Sequence, residues 1–401
     1  MNINRRTFLG HGLAGAALAA SGGLAVSRIS LAAPAAGESR FVFVILRGAL
    51  DGLTAVPPLG DPHYAALRGA LALPTSAAAA APLRLDDLFA LHPALQELGQ
   101  LWQQRQLAVL PAVATPYRER SHFDAQDVLE TGLARPQASR SGWLNRALAA
   151  LPPTGAAQGG VAVGAGIPLV MRGKVEVASW SPKRLPDLDA DTLARIVDLY
   201  AEDPLLSVRI ADALAADAMA GGAMQPAGGG PGAQLAEAAR AAARFLAQPV
   251  GPRVAVLETT GWDTHANQGA EQGLLALRLA ALDAMLKQLR ESLDTAWPHT
   301  MVLAATEFGR TVAVNGTRGT DHGTGAAAFL LGGAVRGGRV IGDWPGLGPA
   351  ALRDGRDLAP TMDLRAVFKS VLRDHLGVPQ PYLESEVFPD SRAAGYIDIR
   401  V

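Results

Sequence analysis

The sequence predicts an α/β protein in which a mostly parallel sheet lies between layers of helices. Residues 254–257 and 301–305 are short apolar runs bounded by turn signals, as is typical of buried parallel strands. Between these runs, residues 269–293 repeat leucine and methionine at helical spacing. Strand, helix and strand in this order predict a βαβ crossover, which places ligand chemistry at the carboxyl ends of the strands.

Further elements follow the same pattern along the chain. The apolar runs 40–46, 107–113 and 326–331 predict more strands, and the first of them is continuous enough for a strand covered on both faces. Periodic apolar residues predict a helix over 364–376 that packs against the sheet.

The pattern changes in the middle of the chain. Residues 141–250 combine short apolar runs with Ala-rich helical segments and contain the Gly/Pro/Ala-rich linker 220–233. We expect one α/β domain over 37–401, with 141–250 as a helical insertion or cap.

Composition limits the class of protein. The chain has 401 residues and a formal net charge of -1, so no basic field favours nucleic acid or an anionic membrane. Hydrophobic residues make up 49% of the chain, which is enough for a large core. The absence of cysteine excludes thiol nucleophiles, cysteine-ligated iron–sulfur clusters and thiolate zinc sites. A transition metal must therefore be held by histidine, carboxylate, hydroxyl or water.

The N-terminus has the features of a targeting segment. The paired Arg5 and Arg6 are followed by Phe8, Leu9 and a soft Ala/Gly/Leu stretch, and small residues at 31–36 offer cleavage sites. This pattern is similar to a twin-arginine export signal, and an ordinary Sec signal is the alternative. The stretch is too weakly apolar for a membrane helix, which needs about 20 mostly apolar residues. We expect a signal peptide over 1–36, the twin-arginine translocase as partner, no stable membrane span after cleavage, and a periplasmic or secreted location.

Carboxylates and histidines follow the two central strand runs. Asp263 and His265 come soon after the first run, Glu307 follows the second, and Asp321 and His322 lie on a Gly-containing loop. The carboxyl ends of parallel strands meet at one edge of a sheet, so these side chains are expected to converge. Zinc and manganese accept histidine and carboxylate ligands. The sequence predicts a divalent-metal site, and a hydrogen-bonded polar network is the alternative.

Two other strand ends offer candidates. Asp51 follows the run 40–46 in a Gly-containing loop, where it is either a metal carboxylate or an Asx turn or helix cap. Ser121 and His122 begin a predicted helix after the run 107–113. Ser121 is either the N-cap or a nucleophile at a helix N-terminus, and His122 is interpreted as a site residue.

Two arginines complete the candidate set. Arg310 comes three residues after Glu307 and can offer a fork for an oxyanion, or form a salt bridge to Glu307 or Asp321. Arg47 at the end of the first strand has the same two interpretations. Both are candidate catalytic residues.

Four motifs in order carry a resemblance to a known family. They read L-R-G-A-L-D-G-L, S-H-F-D-A-Q-D-V-L-E-T-G, G-W-D-T-H-A-N-Q and T-E-F-G-R-T-x-x-x-N-G-T-x-G-T-D-H-G-T-G. Together they resemble the exported bacterial family called domain of unknown function 1501, over nearly all of the mature chain. That family is similar to a branch of the alkaline-phosphatase-like superfamily, which includes phosphatases, sulfatases and cofactor-independent phosphoglycerate mutases. The resemblance implies a parallel sheet between helices, a divalent-metal site at the strand ends and a nucleophile at a helix start.

The resemblance also implies roles for individual residues. Asp51 matches the first-strand metal carboxylate, Asp263 with His265 the central ligand motif, Glu307 the place of an Asp-His pair, His322 the late histidine and Ser121 the nucleophile. Phe308 stands where the superfamily usually has a histidine, which implies that one metal is lost or borrows His122 or Asp321.

The implied activity is metal-assisted hydrolysis of a phosphate or sulfate ester, in a small molecule or a polymer. One or two divalent ions, with an arginine to stabilise the developing charge, would carry it. The alternative is a degenerate hydrolase fold that serves as an envelope binding or assembly protein with a structural metal. Phe308 favours the alternative, and the Asp263/His265 and Asp321/His322 pairs favour an enzyme.

Overall fold

The middle strand of the computed structural model is β1, Arg40–Arg47. It pairs in parallel with β7 (Val254–Thr260) on one side and with β8 (Thr300–Thr306) on the other. Its central residues 41–46 are fully buried. Because both faces of the strand are covered, its sequence is a continuous apolar run, as the sequence predicts.

The structure describes residues 39–74, 81–152, 159–181, 231–248 and 251–400, with several positions between 195 and 211. All of them belong to the compact unit Pro34–Val401. The predicted signal segment 1–36 lies outside the described residues. Within the described ranges, no helix combines the length and apolar character that crossing a bilayer requires.

The other strands of the main sheet extend it on both sides of the centre. They are β5 (Gly160–Val163) and β6 (Ala178–Trp180) beyond β7, and β9 (Ala326–Leu331), β4 (Leu107–Ala114), β10 (Arg339–Val340) and β11 (Met362–Asp363) beyond β8. Strand β9 runs antiparallel to both of its neighbours, and the other described pairs are parallel. The small strands β2 (Leu83–Arg84) and β3 (Ala90–Leu91) form a separate antiparallel pair.

Helices cover both faces of this sheet. Those described are α1 (Gly52–Ala55), α2 (Tyr64–Arg68), α3 (Gln96–Gln103), α4 (His122–Thr131), α5 (Trp143–Leu148), α6 (Pro231–Ala247), α7 (Leu274–Leu293), α8 (Leu364–Ser370) and α9 (Gln380–Tyr382). The chain widens into single π-helical turns at Val371–His375 and Leu383–Val387. The helix predicted over 364–376 is confirmed, with its last turn widened.

Alternate side chains of β1 belong to different cores. Val42, Val44 and Leu46 pack with residues of α3, α6 and α7 on one face. Phe41, Phe43 and Ile45 pack with residues of α5 and α8 on the other. This period of two is the geometry of a strand, and it confirms the predicted mostly parallel sheet between helices.

The described part of 141–250 differs from the predicted cap. Strands β5 and β6 extend the main sheet beyond β7, and α6 packs on α7 in the core. These segments therefore belong to the central sheet and its helical layer. Parallel strands are normally buried, so β7 needs a neighbouring strand on its outer side and a helix over its face. The linker predicted over 220–233 and most of the preceding helical stretch lie outside the described residues.

Strand β4 contains Pro111 and remains fully buried. Its register with β9 shifts between Leu110 and Val113, and Ala112 has a φ of 53°. Proline donates no backbone hydrogen bond, so it is accommodated in a sheet where the ladder is interrupted. The chain leaves this irregular strand end towards α4.

Candidate metal centre

The candidate site is built from segments that meet at the carboxyl edge of the sheet. The loop after β7 carries Asp263 and His265, and the segment after β8 carries Glu307 and leads to His322. The first residue of α4, His122, approaches the same edge after β4. The convergence follows from the parallel order of β7, β1 and β8, because their loops leave the sheet in the same direction.

Three atoms that can bind a metal ion lie at nearly equal distances from one another. Nε2 of His265 is 3.0 Å from Nε2 of His322 and 3.1 Å from Oδ1 of Asp263. Nε2 of His322 is 3.3 Å from the same Oδ1. These three side chains form the inner triangle of the site.

His122 lies beside this triangle. Its Nε2 is 3.5 Å from Oδ2 of Asp263, is buried and has no hydrogen-bond partner. Ligand atoms of His122, Asp263 and His322 all lie within 4.8 Å of one another. The His122 ring also stacks on Phe308, with centroids 4.9 Å apart. A buried polar nitrogen is normally satisfied by a partner. Nε2 of His122 faces a carboxylate, so it is satisfied either by carrying a proton or by binding a cation that lies between the two groups.

Each of the three histidines is held from behind through Nδ1. The acceptors are Oε1 of Glu307 for His122 at 2.8 Å, Oδ1 of Asp321 for His265 at 3.2 Å, and the carbonyl of Arg120 for His322 at 2.9 Å. An acceptor at Nδ1 fixes the tautomer and turns Nε2 towards the centre. This is how metal-binding histidines are oriented in proteins.

Glu307 supports the site from a fully buried position. Its Oε1 accepts from His122, from the backbone N–H of Gly48 at 2.8 Å and from Gln126 at 3.1 Å, and its Oε2 accepts from Thr306 at 2.8 Å. Burial acts to raise the pKa of Glu307, but these hydrogen bonds, that of His122 foremost, lower it below its ordinary value. Glu307 is therefore an ionised partner of His122, and both of its oxygens are engaged in hydrogen bonds within the protein.

Asp321 is the partner of His265 in the same way. It also accepts a 3.0 Å hydrogen bond from Asn315, which is the largest cause of the lowered pKa of Asp321. Because its Oδ1 already faces Nδ1 of His265, Asp321 is placed behind that histidine.

The charges of the inner residues are complementary. Burial opposes ionisation of Asp263, but the hydrogen bond and charge of Arg310 and the nearby histidines lower the pKa of Asp263. The hydrogen bond to Glu307 raises the pKa of His122, whereas burial lowers the pKa of His322. These shifts favour an ionised carboxylate at Asp263 and a neutral imidazole at His322, the protonation states that bind a metal ion.

The donor set fits a zinc ion. Zinc–nitrogen bonds of roughly 2.0–2.1 Å in a tetrahedron separate neighbouring ligand atoms by about 3.3 Å. The inner triangle has edges of 3.0, 3.1 and 3.3 Å. Imidazole nitrogen with a single carboxylate suits zinc better than manganese, which prefers oxygen ligands.

Both candidate arginines are paired with carboxylates of the protein itself. Arg310 is buried, donates to Oδ1 of Asp263 at 2.5 Å and donates twice to Thr320. Arg47 pairs with Glu130 at 2.9 Å and with Glu258. Their guanidinium groups have the salt-bridge role, and Arg310 orients the carboxylate of Asp263.

Asp51 and Ser121 stand apart from the inner residues. Asp51 caps α1 and is paired with Arg68, which is the capping interpretation of this residue. Ser121 occupies the N-cap position of α4, but its side chain makes no capping hydrogen bond. Among the contacts of the described residues, none joins either side chain to the inner triangle.

Two residues that the sequence did not single out belong to this region. Gln268 is fully buried and donates to Asp51, and Arg68 is fully buried against the same carboxylate. Gln268 closes the motif that contains Asp263 and His265, so its position was a usable signal. No local pattern marks Arg68.

The fold and the site define an α/β protein with a histidine–carboxylate centre at the carboxyl edge of its sheet. Residues 38–382 match the model of the family described as "Protein of unknown function (DUF1501)", and the chain belongs to that family. A search of curated proteins finds no significant match.

Solved structures give weaker likenesses. The C-terminal periplasmic domain of EcEptC from Escherichia coli, in complex with Zn, is 10% identical, with 74% of each chain covered and a TM-score of 0.35. A phosphonate monoester hydrolase of Agrobacterium radiobacter is 12% identical over 85% of this chain and 74% of its own, with a TM-score of 0.39. Likenesses of this size assign no activity to the chain.

Proposed function

We propose that the chain is an exported metal-dependent hydrolase that acts on a phosphate or sulfate ester. The observation that carries the proposal is the convergence of three imidazole nitrogens and one carboxylate at the edge of the sheet. The ester class, in a small molecule or a polymer, is what the resemblance to the alkaline-phosphatase-like superfamily implies.

The inner triangle of Asp263, His265 and His322 would hold the ion. Three protein ligands leave one position of a tetrahedral ion open, as in catalytic zinc sites. The side chains of Asp263 and His265 are 41% and 44% exposed, so this position is open to solvent and substrate. A divalent ion bound there supplies Lewis acidity and lowers the pKa of a bound water.

His122 carries the proton chemistry in this proposal. Glu307 accepts from its Nδ1 and raises the pKa of His122 above its ordinary value, which favours the protonated ring. Its buried Nε2 faces the inner triangle, where it delivers that proton to the leaving-group oxygen of an ester. Phe308 stacks on one face of the ring.

The second candidate function is a binding or assembly protein with a structural metal. The specific observation in its favour is the same His122, because a fourth protein ligand closes the coordination of zinc as in structural sites. The two functions thus differ in whether His122 binds the ion or moves a proton.

Exchange of His122 for glutamine separates them. For an enzyme, His122→Gln keeps its zinc and loses roughly 10²- to 10⁴-fold in hydrolysis of aryl phosphate or aryl sulfate. For a structural centre, the wild type binds zinc without turnover and His122→Gln loses the zinc. His299→Gln is the matched control, since His299 precedes β8 at the opposite edge of the sheet.

We also propose export through the twin-arginine translocase to the periplasm or the medium. The paired Arg5 and Arg6 support it. Fusion of residues 1–38 to a reporter that is active only after export tests it: Arg5→Lys with Arg6→Lys is expected to abolish export, and unchanged export would point to the Sec route.

A further inference from the structure

Asp51 is the most completely paired carboxylate near the edge that carries the metal centre. Its Oδ1 accepts from the backbone N–H groups of Leu53 at 3.1 Å and Thr54 at 3.3 Å. Its Oδ2 accepts from the hydroxyl of Thr54 at 2.9 Å, from Gln268 at 2.6 Å and from Arg68. A carboxylate offers about four lone-pair positions, so these donors leave none for a metal ion.

Arg68 supplies the positive charge at this carboxylate. The residue ends α2, and its side chain is fully buried. Its Nη1 donates to the carbonyls of Thr311 at 3.3 Å and Val312 at 3.1 Å, which fixes the guanidinium in place. Burial acts to raise the pKa of Asp51, but the charge of Arg68 lowers it. The pair is therefore a neutralised unit inside the protein.

A chain of hydrogen bonds connects this unit with the metal centre. Gln268 donates to Asp51, and its Oε1 accepts from the hydroxyl of Thr320 at 2.8 Å. That hydroxyl accepts from Nε of Arg310 at 3.2 Å, and Nη1 of Arg310 donates to Asp263 at 2.5 Å. The ion pair thus sets the position of the carboxylate that faces the histidines, without touching them.

We propose that the guanidinium of Arg68 is a built-in cation that takes the place of a metal ion at Asp51, so that the chain binds one divalent ion and not two. Asp51 is then a positioning residue that acts on Asp263 through Gln268. The inference rests on the proposed metal centre. A second divalent ion at Asp51 would have to displace a buried, five-fold hydrogen-bonded arrangement and would lie next to a fixed positive charge.

The zinc content of the wild-type mature chain tests the inference directly. After saturation with zinc and removal of free metal, elemental analysis is expected to give about one zinc per chain, and His265→Ala is expected to give none. Two zinc ions in the wild type, with one left in His265→Ala, would overturn the inference and leave the metal centre standing. No zinc in the wild type would remove the proposed centre itself, and the inference with it.

A paired variant tests the role of Asp51. Asp51→Asn together with Arg68→Met removes both charges and leaves no unpaired buried charge behind. At saturating zinc this variant is expected to bind about one zinc per chain, as the wild type does, but with a weaker affinity because Asp263 is held less firmly. A loss of one whole zinc per chain from the folded variant at saturating zinc would show that Asp51 is a ligand and would overturn the inference. If the variant does not fold, the number of zinc ions bound by the wild-type chain decides whether the inference holds.

Discussion

A histidine moves a proton well only when its other nitrogen is held in place, and Glu307 does this for His122. Glu307→Gln keeps the shape of the side chain but removes its charge. We expect hydrolysis of aryl phosphate or aryl sulfate to fall about 10- to 100-fold, with zinc affinity unchanged, because His122 loses the partner that favours its protonated ring. Steady-state kinetics measure the activity, and competition with a chromophoric chelator measures the affinity.

Glu97→Gln is the control for this exchange. Glu97 is equally buried and ionically paired, with Arg290 at 2.6 Å, and it lies on α3. Its exchange is expected to leave hydrolysis and zinc affinity unchanged. If Glu307→Gln hydrolyses these esters as fast as Glu97→Gln, then Glu307 does not support proton transfer by His122.

The sequence predicts which residue types meet at the strand edge, but not which of them face the centre of the site. Asp263 and Glu307 both follow buried strands, yet Asp263 points its oxygens at the Nε2 atoms of the histidines, whereas Glu307 faces Nδ1 of His122. Glu307 is turned away by hydrogen bonds from Gly48 and Gln126, which belong to distant segments. Such partners leave no mark in the local pattern, so direct and supporting carboxylates look alike in the sequence.

Among the elements around the site, the loop 315–319 fixes the backbone of His265 through hydrogen bonds. Asn315 and Thr317 donate to the carbonyl of His265 at 2.9 Å and 2.6 Å. A Cβ on Gly319 would lie 2.4 Å from the same carbonyl group, so only glycine allows this approach.

Gly319→Ala is therefore expected to displace the loop that carries His265. We predict a loss of about 1–3 kcal/mol in the free energy of unfolding, by analogy with overpacking, and a fall in zinc affinity of about tenfold. Gly316→Ala in the same loop is the control, because a Cβ at Gly316 meets nothing within 4 Å. Chemical denaturation and zinc titration of both variants measure the difference. Equal behaviour of the two would contradict the packing argument.

The elements themselves were predictable where burial is complete. Strands β1, β4, β7, β8 and β9 are apolar throughout most of their length because both faces are covered. Strand β6 has three residues, too few for a pattern, so its place in the sheet was missed. The antiparallel direction of β9 depends on how its neighbours are arranged, which a local run of apolar residues does not record.

At the scale of the whole molecule, His375 makes the stability of the fold depend on pH. The ring is buried, and Nε2 donates to the carbonyl of Arg40 at 2.7 Å. Burial lowers the pKa of His375 to about 4, whereas the unfolded chain has a histidine pKa of roughly 6.5. The folded protein therefore favours the neutral ring.

Between these two pKa values only the unfolded state binds the proton, so stability falls as the pH decreases from about 6.5 to about 4. The free energy of unfolding is expected to fall by about 3 kcal/mol relative to that of His375→Gln, whose side chain keeps a hydrogen-bond donor and does not titrate. Urea denaturation of both proteins across this pH range, with metal removed, measures it. If the free energy of unfolding changes with pH in the same way for both proteins, the fold does not hold His375 neutral.

We expect His265, His322 and Asp263 to bind one cation together at the edge of the sheet. Anomalous diffraction at the zinc edge, from crystals of the zinc-saturated mature chain, shows whether they do. A peak is expected roughly 2.0–2.2 Å from Nε2 of each of these histidines and from the Asp263 carboxylate. A zinc peak elsewhere, with these three side chains free of metal, would rule out this centre.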